Sequence, residues 1–257
     1  MIKAVFFDVD GTLLSLDTGT VPESAKRSLN RLKENGIKIF LSTGRHSTEI
    51  KQLPLDGLTF DGYITLNGQL CLDSDFSFLF GEPLNDEAVA QLLKVYREKS
   101  VSFYLTQEKQ IRINFVSDLA RQVLADIATE IPEIADPEDA PIFQATTFYR
   151  EEEDCWFCRN CPSGCRITRW CDGAVDIISE NGGKVSGIRK YLDHLRITKE
   201  EIMAFGDAQN DAEMLQYAAI GVAMGNARPE VKALADYVTA PVDENGIETA
   251  LKHFDLI

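Results

Sequence analysis

A chain of 257 residues is long enough for one large domain, or for a core carrying a smaller inserted one, with a substantial buried interior. Its 44% hydrophobic and 26% charged residues are ordinary for a globular protein and exclude a largely disordered chain. With 41 acidic against 26 basic residues the net charge is −15, and no Lys/Arg run offsets it locally, so nucleic acid and anionic membranes are disfavoured as partners.

No apolar segment reaches bilayer length, and the apolar stretch Ala4 to Phe7 ends at once in Asp8, unlike a signal peptide. The expected location is therefore cytoplasmic, where the six cysteines are reduced unless metal binds them. Residues 2–7 read as a short buried parallel strand. After a loop from Asp8 to Thr20, Pro22 opens a helix with Ala25, Leu29 and Leu32 on its apolar face, and Gly36 stands at its stop. Ile37 to Leu41 form a second strand that ends in Ser42-Thr43-Gly44-Arg45. Asn67-Gly68 is a strong hairpin signal.

The middle of the chain changes character. A helix at about 84–98, paired strand-like runs at 102–106 and 110–115, and a helix at about 117–130 are followed by a Pro- and acid-rich loop at 132–141. A strand at 143–149, an acidic helix start at Glu151 and a strand at 166–170 complete it. The strand–helix alternation then returns. Val185, Ile188, Tyr191, Leu192 and Leu195 make a helical stripe, Ile202 to Phe205 a buried strand ending in Gly206-Asp207, and Ile220 to Ala223 another strand. The expected fold class is α/β: a Rossmann-like, doubly wound parallel sheet with an inserted α+β module. The expected division is 1–81 core, 82–183 inserted cap and 184–257 core.

Polar residues gather where strands end: Asp8-Val9-Asp10-Gly11-Thr12, Thr43-Gly44-Arg45, Lys184 after Asn181-Gly182-Gly183, and Gly206-Asp207 through Asn210-Asp211. In order, spacing and context these four clusters resemble the motifs of the haloacid dehalogenase superfamily of phosphohydrolases, across almost the whole chain. The insertion between the second and third resembles the Cof-like subgroup with a type IIB cap. The chemistry also follows from the residues. A phosphate ester repels nucleophiles by its own charge, so a site must neutralise that charge, align the phosphorus and supply a nucleophile. Asp8 suits the nucleophile, and Asp10 the acid that protonates the leaving oxygen and later activates water. Clustered carboxylates need a cation, and Mg2+ is the natural one.

The resemblance assigns the metal to Asp8, the backbone carbonyl of Asp10, Asp207 and, in support, Asp211. It assigns the phosphate to Thr43, Gly44, Lys184 and Asn210. It implies a Mg2+-dependent phosphatase for a small phosphorylated metabolite, sugar phosphates first, acting through an aspartyl-phosphate. Nucleotides, pyridoxal phosphate and flavin mononucleotide remain open. Haloalkanoate dehalogenases lack the second Asp of the first motif, so Asp10 points to phosphoryl transfer. The rivals are a sugar-phosphate phosphotransferase or mutase, and a non-catalytic phosphometabolite-binding or metal/redox-sensing domain. Monomer and homodimer are both open. Arg45 suits either a substrate contact or the surface, Asn67 a turn or a place near substrate, and His46, His194 and His253 the surface or helix decoration. Cys155, Cys158, Cys161 and Cys165 follow C-x2-C-x2-C-x3-C spacing. Buried thiols on a helical face are the first reading, structural zinc the second and a cluster or redox role the third.

Overall fold

In the computed structural model, which describes residues 1–55, 57–153 and 156–257 and only the backbone of Cys158, the chain builds two sheets. It begins with β1 (Ala4–Phe7), α1 (Glu23–Glu34), β2 (Lys38–Ser42), α2 (Ser47–Ile50), β3 (Gly62–Thr65), β4 (Leu70–Asp73) and β5 (Phe78–Gly81). The middle holds α3 (Asp86–Glu98), β6 (Phe103–Gln107), β7 (Ile111–Ile113), α4 (Asp118–Asp126), β8 (Glu133–Ile134), β9 (Ile142–Phe148), α5 (Trp156–Arg159), β10 (Cys165–Cys171) and β11 (Ala174–Ser179). The return is α6 (Lys184–Leu195), β12 (Ile202–Gly206), α7 (Ala212–Tyr217), β13 (Ile220–Ala223), α8 (Pro229–Lys232), β14 (Tyr237–Val238) and α9 (Gly246–His253).

The first sheet runs β14-β13-β12-β1-β2-β3-β4-β5, parallel from β14 to β3 and antiparallel beyond. Its central strands are apolar without alternation because both faces are covered. Val5 and Phe7 of β1 pack with α1 and α9 through Leu29 and Leu251, whereas Ala4 and Phe6 pack with α6 and α7 through Ile188 and Leu215. This is the expected doubly wound α/β core. Consecutive parallel strands with helices between them point their carboxyl ends the same way, which collects the loops after β1, β2 and β12 at one edge.

The second sheet runs β10-β11-β9-β6-β7-β8 and is antiparallel except for β7 with β8. Alternation has a purpose here. Phe103, Leu105, Ala145, Val175 and Ile177 turn one way, into a core shared with α3. Tyr104, Gln144, Thr146 and Asp176 occupy the intervening positions, and register places Thr146 opposite both Tyr104 and Asp176. That polar-bearing face looks toward the strand ends of the first sheet, since Asn67 donates to Gln144 and Asp176 across the gap.

Two sequence expectations need correction. Glu151 to Glu153 form a turn, and the helix following them is the four-residue α5. Cys161 therefore lies past the helix end and is exposed, while Cys165 begins β10 and is half-buried. Cys161 is therefore not on the buried face of a helix: Pro162 lacks the N–H a continuing helix would use, and the chain turns into a strand. Cys155 and the Cys158 side chain lie outside the described residues. No helix among the described residues is long and apolar enough to cross a membrane.

Candidate active site

Asp8 follows β1, Asp207 follows β12, and Asp211 closes a short 3-10 turn (Gln209–Asp211) after it. Gly206 permits this packing: a Cβ there would lie 2.4 Å from the Cβ of Asp211. The three aspartates each offer one carboxylate oxygen, all within 4.8 Å of one another. Lys184, the first residue of α6, is fully buried against them. Its Nζ donates to Asp8 Oδ1 at 2.5 Å and to Asp211 Oδ1 at 2.6 Å.

The cluster remains short of positive charge. Burial, then the charge of Asp211, raises the Asp8 carboxyl well above its ordinary value. Burial, again followed by Asp211, pushes Asp207 up to about 7. Burial opposes charge on Lys184, yet Asp211 and Asp8 outweigh it and raise its pKa. One ammonium among three carboxylates leaves an oxygen-lined, electronegative hollow, and a hard divalent cation fits that donor set.

The supporting contacts are specific. Thr12 Oγ1 donates to Asp207 Oδ1 at 2.9 Å, and Asn226 Nδ2 donates to the Gly11 carbonyl at 2.8 Å. Asp211 Oδ2 accepts the backbone N–H groups of Asp207 and Ala208 at 3.0 and 2.9 Å, so Asp211 braces the loop as well as the lysine. Gly11 has φ +79°, and a Cβ there would sit 2.4 Å from Asp207 Oδ2.

Asp10 is set apart from the trio. Arg45 grips its carboxylate with two hydrogen bonds, Nε to Oδ2 and Nη2 to Oδ1, both 2.7 Å. The side chain of Asp10 is therefore no part of the acidic hollow, which leaves only its backbone carbonyl for the metal-ligand role. The same guanidinium reaches the second sheet's module, donating to the Ile127 carbonyl at 2.9 Å and to Thr129 Oγ1 at 3.0 Å. Arg45 is 6% exposed, which excludes the surface reading.

Thr43 is buried, and its Oγ1 accepts the N–H of Arg45 at 3.1 Å. Thr43, Gly44 and Asn210 line the same cavity as Asp8 and Asp10. Asn210 Nδ2 donates to Asn67 Oδ1 at 3.1 Å, and Asn67 Nδ2 donates to Asp176 Oδ2 at 2.6 Å. Asn67 takes the turn reading, closing the β3–β4 hairpin with φ +50°, and it also links Asn210 to the second sheet.

His46 is not at the surface. It is 1% exposed, caps α2, and its Nε2 lies 2.9 Å from the Glu108 carbonyl. His194 and His253 are exposed. Sequence reading missed Thr12, Glu49, Tyr104, Asn226 and Asp176 as site residues. Only Thr12 had a local signal, its place in the first motif; the others arrive by tertiary contact.

A family model described as haloacid dehalogenase-like hydrolase matches residues 5–251. The chain is 32% identical over 259 residues to YkrA of Bacillus subtilis (strain 168), a candidate phosphatase, covering 99% of this chain and 98% of that one. The phosphatase BT1666 from Bacteroides thetaiotaomicron superposes with a TM-score of 0.89 at 33% identity, covering 100% of this chain and 96% of that one. The subclass IIB sugar phosphatase BT4131 superposes with a TM-score of 0.87 at 35% identity, covering 99% and 100%. The chain belongs to the haloacid dehalogenase-like hydrolases, in the Cof-like branch with a type IIB cap, and is a phosphatase of that family.

Proposed function

We propose that the protein is a Mg2+-dependent phosphomonoesterase that acts through an aspartyl-phosphate on Asp8, with sugar phosphates the leading substrate class. The observation that carries this reading is the meeting of Asp8, Asp207 and Asp211 around buried Lys184 where parallel strands end. Likeness to the sugar phosphatase BT4131 supports the substrate class. The working division is 1–81 and 184–257 as core and 82–183 as cap.

Asp8, Asp207 and the Asp10 carbonyl would hold the ion, with Asp211 in support. Bound there, Mg2+ supplies the charge neutralisation that lets one anion approach another. The residues do the rest. An Asp8 oxygen attacks phosphorus in line, and the bond from phosphorus to the ester oxygen breaks. Asp10 gives that oxygen its proton. Water then attacks the phosphoryl group on Asp8, Asp10 takes the water's proton, and inorganic phosphate leaves with the Asp8 carboxylate restored. Thr43, the Gly44 amide, Lys184 and Asn210 surround the phosphoryl oxygens. Arg45 keeps Asp10 turned from the acidic trio until the leaving oxygen takes its place.

p-Nitrophenyl phosphate turnover with Mg2+, with EDTA, and in Asp8→Asn tests this. Wild type releases inorganic phosphate only with the ion, and Asp8→Asn loses turnover while keeping its circular dichroism spectrum. Mg2+-dependent turnover persisting in Asp8→Asn removes the nucleophile from its role; transfer to a second alcohol without phosphate release favours a phosphotransferase.

A further inference from the structure

A cavity of about 150 Å³ leads from Asp8 and Asp10 to the inner face of the second sheet. Leu16, Tyr104, Ile127 and Trp170 form its apolar wall, and Glu49 and Asp176 line it as carboxyls. The one cationic side chain on the wall, Arg45, is already paired bidentately with Asp10. An alcohol fragment lying there therefore meets acceptors and aromatic rings, and no free cation among the described residues.

Both carboxyls are fixed in place. Asp176 is 3% exposed and accepts hydrogen bonds from Thr146 at 2.6 Å, Asn67 at 2.6 Å and Trp170 at 3.3 Å. A carboxylate has about four acceptor positions, so one remains for a ligand. Glu49 accepts the His46 backbone N–H at 2.6 Å. Neither can swing away from a charged guest as a surface side chain would.

We propose that this chamber selects phosphate monoesters whose alcohol part is uncharged or cationic and bears hydroxyl or amine donors, and rejects those with a second anionic group, with Asp176 and Glu49 the specificity-determining residues. The inference rests on the reading of Asp8 as nucleophile and adds the chemistry of the leaving group. Acceptor-only carboxylates complement O–H and N–H donors, and the Trp170 and Tyr104 rings suit the C–H face of a sugar ring. A carboxylate or second phosphate would instead face like charge. At about 6 Å and an effective dielectric of about 20, one such contact costs roughly a hundredfold in binding. Burial raises the carboxyl of Asp176 to about 7 and that of Glu49 above its ordinary value, so the like-charge rejection grows as pH rises and these carboxyls ionise.

Two matched comparisons test this: the pyranoses glucose 6-phosphate and glucosamine 6-phosphate, neutral and cationic beyond the phosphate, and the open-chain sorbitol 6-phosphate and 6-phosphogluconate, neutral and anionic. With Mg2+, kcat/KM for 6-phosphogluconate is expected to fall at least tenfold below that for sorbitol 6-phosphate, and glucosamine 6-phosphate to be used at least as well as glucose 6-phosphate. Any compound that is not turned over is ranked by its inhibition of p-nitrophenyl phosphate hydrolysis. Asp176→Asn and Glu49→Gln should each narrow the gap. The ratio of two substrates on one preparation is insensitive to the folded fraction, so partial misfolding cannot imitate the result. Equal or better use of 6-phosphogluconate by wild type overturns the proposal, as does an unchanged ratio in both variants. If p-nitrophenyl phosphate itself is not hydrolysed, the nucleophile reading falls and this one with it.

Discussion

Titrating Mg2+ at different pH values probes the acidic hollow directly. Asp207 stands at about 7 against an ordinary 3.8, raised first by burial and then by Asp211. At 1.36 kcal/mol per unit, that gap amounts to about 4 kcal/mol held against ionisation, before solvent screening at its partly exposed edge. A carboxyl raised by folding binds more protons folded than unfolded. The metal-free protein is thus favoured toward acid, and this contribution is lost as pH rises through about 7. Mg2+ bound in this hollow would work in the opposite direction, because a metal binds the deprotonated form. Its apparent affinity should climb about tenfold per pH unit below 7 and level off above. Asp8, raised for the same reasons, steepens the acid limb. Calorimetry from about pH 5.5 to 8.5, in two buffers of different ionisation enthalpy, reads both affinity and protons released. An affinity independent of pH, with no proton release near neutrality, would refute the claim that the ion enters among these carboxylates.

Two further substitutions separate charge from shape. Lys184→Met keeps the length of the side chain but strands Asp8 and Asp211 as buried like charges, and should cost about 3–5 kcal/mol in chemical denaturation near neutrality. Part of that loss should return in mild acid, where the raised Asp8 carboxyl takes up a proton. A wild-type unfolding curve would show that Lys184 is not the counter-charge. Gly11→Ala places a Cβ in a left-handed conformation and against Asp207 Oδ2, adding about 1–2 kcal/mol of backbone strain. Its clearer signature is weaker Mg2+ binding, because Asp207 must move; unaltered binding by calorimetry would exclude Asp207 as a ligand held by that turn.

The core was legible because its signals are local. Continuous apolar runs such as Ala4–Phe7 and Ile202–Gly206 mark strands covered on both faces, and Pro22 and Gly36 bracket α1. The antiparallel extension β4–β5 was less visible: its strands are four residues each, and β5 is only partly buried, so alternation has little length in which to appear. The α5 region misled for a related reason. Glu151 to Asp154 resembles a helix N-terminus in composition, but Pro162 and Gly164 end any helix within a few residues.

Arg45 was legible only in part. Its neighbours in sequence mark a strand end and a motif, but not its partners. Its bonding partners are Asp10, Ile127 and Thr129, which lie 35, 82 and 84 residues away. No local pattern encodes such a set; it exists only once the second sheet has docked on the first. Docking also determines what Asp10 can do. A bidentate guanidinium takes one acceptor position on each carboxylate oxygen, so Asp10, in the acid–base role proposed for it, would have to loosen that pair before handing over a proton. The contacts to Ile127 and Thr129 would hold Arg45 in place meanwhile. Asp8, Asp207 and Asp211 depend on strand order alone, and the motif spacing could anticipate them. The Asp10–Arg45 pair depends on the cap, and so does the chamber beside it.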